Sequence, residues 1–141
     1  GEAFVTRKIS MGVARIACGQ ATTLTLGNLD GRRDWGFAGD YMDALWRMQQ
    51  LEAPCDLVVG SGVAHSVRDF CERAFAVAGL DYRAHVASDD GLLRPVDATT
   101  LVADASLARE RLEWGPTVDF GGLVEMMVFA DLERVRSGAG V

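Results

Sequence analysis

The sequence holds only one lysine, two histidines, three cysteines and three prolines in 141 residues. No stretch of 18 consecutive apolar residues occurs, so no membrane span is expected. The start, Gly1-Glu2-Ala3-Phe4, has no basic head followed by a long apolar run, and no secretory signal is expected. Cys18, Cys55 and Cys71 are far apart and odd in number, which suits neither a disulfide framework nor a zinc site. They are expected to be reduced, buried thiols in a cytoplasmic protein. His65 and His85 stand alone, without HxxxH or CxxC spacing, so no metal is expected. Fourteen basic against 20 acidic residues leave a net charge of −6, which argues against nucleic acid and against an anionic membrane surface as partners.

Three enzymatic signatures are also missing. No GxGxxG turn follows an early strand, and Gly60-Ser61-Gly62, the nearest approach, lacks the third glycine. Tyr41 and Tyr82 are each followed four residues on by Leu45 and Val86, so the only lysine, Lys8, forms no Tyr-xxx-Lys pair. No GxSxG elbow is present. No catalytic residue is therefore assigned to this chain.

What is present is ordinary globular material, 49% hydrophobic and 24% charged, enough for one domain or a lobe of a larger one. Val5, Ile9, Val13, Ile16 and Ala17 recur at helical steps before Gly19. Thr23–Leu26 alternates as a short strand, and Gly27-Asn28 and Asp30-Gly31 mark turns. A second helix is expected from Phe37–Asp40 to Glu52, with Tyr41, Met42, Leu45, Trp46 and Gln49 on one face. Residues 56–60 form a compact apolar run that predicts a buried strand. Ser66-Val67-Arg68-Asp69 predicts a capping box, followed by inward Val67, Phe70, Cys71, Ala74, Phe75 and Ala78 and a stop at Gly79. Residues 80–93 carry no clear pattern. A short helix opens at Asp104 or Ser106 and runs to Leu112. Asp119 caps a last helix to about Val135, with Leu123, Val124, Met127, Val128 and Leu132 inward. Helices thus alternate with two or three short strands: an α/β arrangement, mostly helical, with too few strands for a complete doubly wound sheet.

Anion-binding groups are the chemistry most open to such a chain. Arg7-Lys8 opens the first helix, Arg32-Arg33-Asp34-Trp35 precedes the second, and Arg94-Pro95-Val96-Asp97 lies in a later loop. Arginine's planar fork suits a diphosphate, and a carboxylate suits ribose hydroxyls. Singly, each cluster is more readily a solvated surface charge.

The residues also carry a family resemblance. Phe4-Val5-Thr6-Arg7-Lys8-Ile9, Leu26-Gly27-Asn28-Leu29-Asp30 and Arg33-Asp34-Trp35-Gly36 resemble the C-terminal part of the GDP-mannose 4,6-dehydratases, within the extended short-chain dehydrogenase/reductase group. The likeness continues through Asp40-Tyr41, Trp46, His65–Arg68, Arg94-Pro95, the stretch from Asp104 to Trp114 and the 123–132 helix. It implies a single C-terminal nucleotide-sugar-binding domain over residues 1–141, with the NADP-binding Rossmann domain outside this chain and no cofactor bound here. For the intact lyase it implies an internal redox dehydration of GDP-mannose to GDP-4-dehydro-6-deoxy-mannose. Hydride leaves C4 for NADP+, water is lost across C5–C6, and the hydride returns to C6. Position by position, the substrate-binding residues implied are Val5, Lys8, Leu26, Asn28, Arg33, Arg94 and Asp97.

The chain departs from the family at three places. Asp97 stands where the family has Glu, Phe37 where it usually has His, and residues 80–93 are shorter than its usual stretch. The lobe of another GDP-sugar epimerase or reductase, and a non-catalytic interaction module, remain as alternatives. The partners implied are a GDP-sugar, the Rossmann domain and a homo-oligomer. Leu45-Trp46 and Met126–Phe129 are candidates for a self-associating surface, with core packing their expected use.

Overall fold

The computed structural model describes residues 4–89 and 100–138. Its elements in order are α1 (Val5–Ala17), β1 (Leu24–Leu26), β2 (Arg32–Asp34), α2 (Ala38–Met48), β3 (Ala64–Ser66), α3 (Val67–Val77), a single 3-10 turn (Tyr82–Ala84), β4 (Val86–Ser88), α4 (Ser106–Leu112) and α5 (Phe120–Ser137). The chain divides into two units. The first comprises Gly1–Gly31, Ser66–Thr99 and Val124–Val141; the second comprises Arg32–His65 and Thr100–Leu123.

In the first unit α1 and α3 form where the apolar steps predict. Ile9, Val13, Ala14 and Ile16 are buried along α1, and Val67, Phe70, Cys71, Ala74 and Phe75 along α3. Fully burying a phenylalanine contributes about 1.5–3 kcal/mol, and both Phe70 and Phe75 are 0% exposed. The α3 capping box is complete: Asp69 N–H donates to Ser66 Oγ at 3.0 Å and Ser66 N–H to Asp69 Oδ2 at 2.8 Å. β1 pairs in parallel with β4, Leu24 opposite Val86 and Leu26 opposite Ser88. β4 lies in the stretch that carried no pattern. Three residues, only half-buried at Val86, are too short to show an alternation. Val124, Val128 and Leu132 line the inward face of α5, with Met127 half-buried.

In the second unit β2 pairs with β3. A core of Ala44, Ala105, Ala108, Leu112 and Trp114 gathers half-buried Tyr41, Met48, Leu51, Leu57 and Val59 around it. Two expectations are corrected here. The predicted strand over 56–60 is absent, because the segment finds no ladder partner among the described residues. Leu57 and Val59 turn to the core while Val58 stays 57% exposed. The face of α2 is also rotated from the expected one. Asp40 and Ala44 are buried, whereas Met42, Leu45 and Trp46 are 63%, 49% and 63% exposed.

A polar anchor explains the rotation of α2. Asp40 accepts from Thr117 Oγ1 at 2.6 Å, Thr117 N at 3.0 Å and Val118 N at 3.1 Å. Its carbonyl accepts Trp114 Nε1 at 2.9 Å. α2 ends at Met48, short of Glu52. Arg47 reaches the carbonyls of Leu112 and Glu113 at 3.1 and 2.9 Å, so the last carbonyls of α4 meet a cation. Leu45 and Trp46 therefore do not serve as core, and neither do Met126 (46% exposed) and Phe129 (58%). The cysteines divide likewise: Cys71 is buried, Cys18 half-buried and Cys55 exposed.

Candidate functional site

In the first unit, four of the residues singled out for a nucleotide fall on α1 and on the loop after β1. Val5 and Lys8 are half-buried and three residues apart, hence on one face of α1. The helix begins at Phe4 without a side-chain cap, so its first N–H groups have no side-chain acceptor there. The neighbouring cations have separate fates. Arg7 turns inward and meets Asp131 of α5 at 2.6 Å. Lys8 has no side-chain hydrogen bond or ion pair among the described residues. A helix start with uncapped N–H groups and a nearby ammonium is chemically suited to an anion.

Leu26 is 2% exposed, so its side chain belongs to the core, and its carbonyl accepts Asp89 N at 2.8 Å. Asn28 shapes the turn: its Oδ1 accepts Asp30 N at 3.0 Å. The turn is tied to α3 at three points. Arg68 N–H donates to the Leu29 carbonyl, Val67 N–H to the Gly31 carbonyl, and the Arg68 guanidinium grips Asp30 at 2.8 Å. The Tyr82 hydroxyl and Asp30 strengthen the hold of Arg68 on its proton. The Leu-Gly-Asn-Leu-Asp run is therefore a rigid turn, in which the Asn28 amide NH2 has no partner among the described residues.

In the second unit Arg33 is half-buried at the centre of β2, with Nη1 donating to the Arg32 carbonyl at 2.7 Å. Arg32 donates to the Ala64 carbonyl at 2.6 Å. Asp34 accepts from Ser61 N (3.0 Å), Ser61 Oγ, Gly62 N (2.9 Å) and Ala103 N (3.1 Å). A Cβ on Gly60 would lie 2.2 Å from the Ala103 Cβ, so the turn admits only glycine there. A Cβ on Gly36 would meet the Tyr41 hydroxyl at 2.0 Å. That contact explains why glycine closes the Arg-Asp-Trp-Gly run ahead of Asp40-Tyr41. His65 stacks on Phe120 with ring centres 3.8 Å apart, and Trp35 stacks on the same ring at 6.1 Å. Arg94 and Asp97 lie outside the described residues.

Burial alone would raise the pKa of Asp34 and Asp40, yet their hydrogen bonds more than offset it, and both carboxyls sit below the ordinary range. A carboxylate depressed in the folded state contributes stability above its unfolded value of 3.8, and that stability is lost as pH falls through the folded value. Melting temperature should therefore fall as pH drops below that point. In an Asp34→Asn, Asp40→Asn variant the acid limb should be shallower, and an unchanged limb would refute the assignment. Burial raises the Tyr41 hydroxyl, helped by the charges of Asp34 and Asp40, and pushes the Cys71 thiol up to about 12. Neither group is poised as a base or nucleophile near neutral pH.

Among the described residues the Gly60-Ser61-Gly62 turn does not fit the dinucleotide cofactor of the resembled family. Its Ser61 and Gly62 N–H groups are spent on Asp34, leaving them no pyrophosphate to bind. No group of His, Cys, Asp and Glu among the described residues suits a metal ion. No described helix is long and apolar enough to cross a membrane. The sequence missed the roles of Asp131, Ser61 and Thr117, which rest mainly on partners 27 to 121 positions away. No local pattern signals them.

Solved structures share this fold. RMD from Pseudomonas aeruginosa, complexed with NADPH, matches with a TM-score of 0.85 at 20% identity, over 95% of this chain and 44% of that one. The dTDP-glucose 4,6-dehydratase of Bacillus anthracis, in complex with NAD, matches at 0.72 and 16% identity, over 92% and 40%. The fold is thus that of the epimerases and dehydratases of the short-chain dehydrogenase/reductase type, represented here by a mostly helical α/β lobe. The sequence narrows this further. A family model described as GDP-mannose 4,6 dehydratase matches residues 1–127, and GDP-mannose 4,6 dehydratase 1 of Arabidopsis thaliana is 48% identical over 136 residues. The chain belongs to the GDP-mannose 4,6-dehydratase family. It spans 38% of that relative's length, and the relative covers 96% of this chain.

Proposed function

We propose that this chain is the GDP-sugar-binding lobe of a GDP-mannose 4,6-dehydratase. It grips the guanosine diphosphate of GDP-mannose and leaves proton and hydride transfer to an NADP-binding domain outside residues 1–141. The observation that supports this most directly is the split between Arg7 and Lys8. One cation is spent on Asp131, and the other, beside an uncapped helix start, has no side-chain partner among the described residues. Val5 and Lys8 would meet the nucleotide from α1, and the Asn28 turn, floored by Leu26, its guanosine end. Arg33 and Arg94 would take the diphosphate and Asp97 the ribose. Binding energy collected at the diphosphate, remote from the reacting sugar, would hold that sugar in place for the NADP-binding domain.

Isothermal titration of the folded chain with GDP and GDP-mannose tests the reading. Saturable heat with both is expected. A folded sample giving no heat with either would overturn it. For the whole enzyme the expected product carries a 4-keto-6-deoxy sugar; an epimerised or reduced sugar without dehydration would place the chain with another GDP-sugar enzyme.

A further inference from the structure

We infer that Asp34 is a positioning residue, holding β2 so that Arg33 is presented to a diphosphate. The inference rests on the GDP-binding reading and concerns one strand of that site. In a strand, successive side chains alternate between faces. Arg32 and Asp34 therefore share one face, and both are tied down there. Arg32 is fixed to the Ala64 carbonyl at 2.6 Å, and Asp34 to the backbone of Ser61, Gly62 and Ala103. Arg33 lies between two anchored neighbours, on the other face by that alternation, with its Nη1 resting on the Arg32 carbonyl at 2.7 Å.

The anchor is built to need a carboxylate. Oδ1 accepts Ser61 N and Oγ, while Oδ2 accepts Gly62 N and Ala103 N. Every partner is a donor, so an amide at this position must turn its NH2 against at least one backbone N–H, whichever way it flips. Two further features stiffen the turn that grips Asp34. Arg109 Nη2 donates to the Ser61 carbonyl at 3.1 Å, and the backbone at Gly60 lies too near Ala103 for any side chain. The depressed pKa of Asp34 is what such a donor cage produces. A long arginine held by its strand loses less conformational freedom on meeting a phosphate than one on a mobile loop.

The test is a binding comparison between GDP and GMP, which differ by the second phosphate. Wild type, Arg33→Ala, Asp34→Asn and the double variant are titrated, each checked for folding by thermal melting. Asp34→Asn is expected to weaken GDP about tenfold and GMP less than about threefold, moving the GDP/GMP ratio toward that of Arg33→Ala. In the Arg33→Ala background the same substitution should leave the ratio unmoved, because Asp34 acts through Arg33. Equal losses for GDP and GMP, an unchanged ratio, or a further shift in the double variant would each overturn the inference. Should Asp34→Asn fail to fold, Ser61→Ala decides. It removes one donor of the cage, so a smaller shift of the ratio in the same direction is expected, and no shift overturns the inference. Wild type that binds neither nucleotide refutes the GDP-binding reading itself, before any variant is compared.

Discussion

Asp131→Ala is expected to cost about 3 kcal/mol of folding stability, the low end of the range for breaking a buried ion pair. Asp131 is 0% exposed. It accepts from Ser10 Oγ at 2.7 Å, Arg7 at 2.6 Å and Arg134 at 2.7 Å. Removing the carboxylate leaves the Ser10 hydroxyl buried without its acceptor on α5 and strands two guanidinium groups. Those groups keep the loss from being larger: their side chains are 29% and 38% exposed and regain water. Against a typical total of about 5–15 kcal/mol, the loss would be plain in a urea titration. Asp131→Asn keeps an acceptor for Ser10 and should lose less. An Asp131→Ala midpoint equal to wild type would show that the cluster does not hold the start of α1.

The same cluster shows where reading by sequence stops. Apolar periodicity found α1, α3 and α5, because each buries a continuous stripe whose spacing survives in the one-dimensional pattern. The Ser66–Asp69 box was legible because both halves lie within one turn. Asp131 sits on α5 like any solvated aspartate, and nothing near it in the chain marks it as buried. Its partners on α1 lie more than a hundred residues earlier. The α2 error has the same root. Met42, Leu45 and Trp46 make a persuasive apolar face, but Asp40 is tied to Thr117 and Val118 and turns that face outward. Hydropathy ranks aspartate as a surface residue, whereas a carboxylate with three donors is content inside.

Of the candidate site, residue types were legible and engagement was not. Arg7, Lys8, Arg32, Arg33 and Asp34 all read as possible anion-site groups. The structure commits Arg7, Arg32 and Asp34 to holding backbone and helices. Gly60-Ser61-Gly62, the nearest approach to a dinucleotide fingerprint but without its third glycine, is the clasp around Asp34. Local sequence shows which groups can make a bond; which bond each makes depends on segments that folding brings beside it.

Lys8→Ala should separate binding from stability, and it is the largest effect expected on the ligand. A charged hydrogen bond contributes about 1.5–3 kcal/mol, so loss of one at the diphosphate should weaken GDP about tenfold to a hundredfold. The melting temperature should barely move, since Lys8 has no side-chain partner to lose among the described residues. Arg7→Ala should do the reverse to stability, because it removes a partner of Asp131 2.6 Å away. Lys8→Arg keeps the charge but replaces a compact ammonium with a wider fork, and should restore affinity only in part. Titration with GDP and a thermal melt on each of the three variants give the comparison. If Lys8→Ala leaves GDP affinity intact, or lowers stability as far as Arg7→Ala does, the ammonium on α1 is not the anion's partner. Raising the salt concentration provides an independent reading of the same contact. Screening should weaken GDP binding to wild type more steeply than to Lys8→Ala, because the variant has one fewer cation at the phosphate to screen.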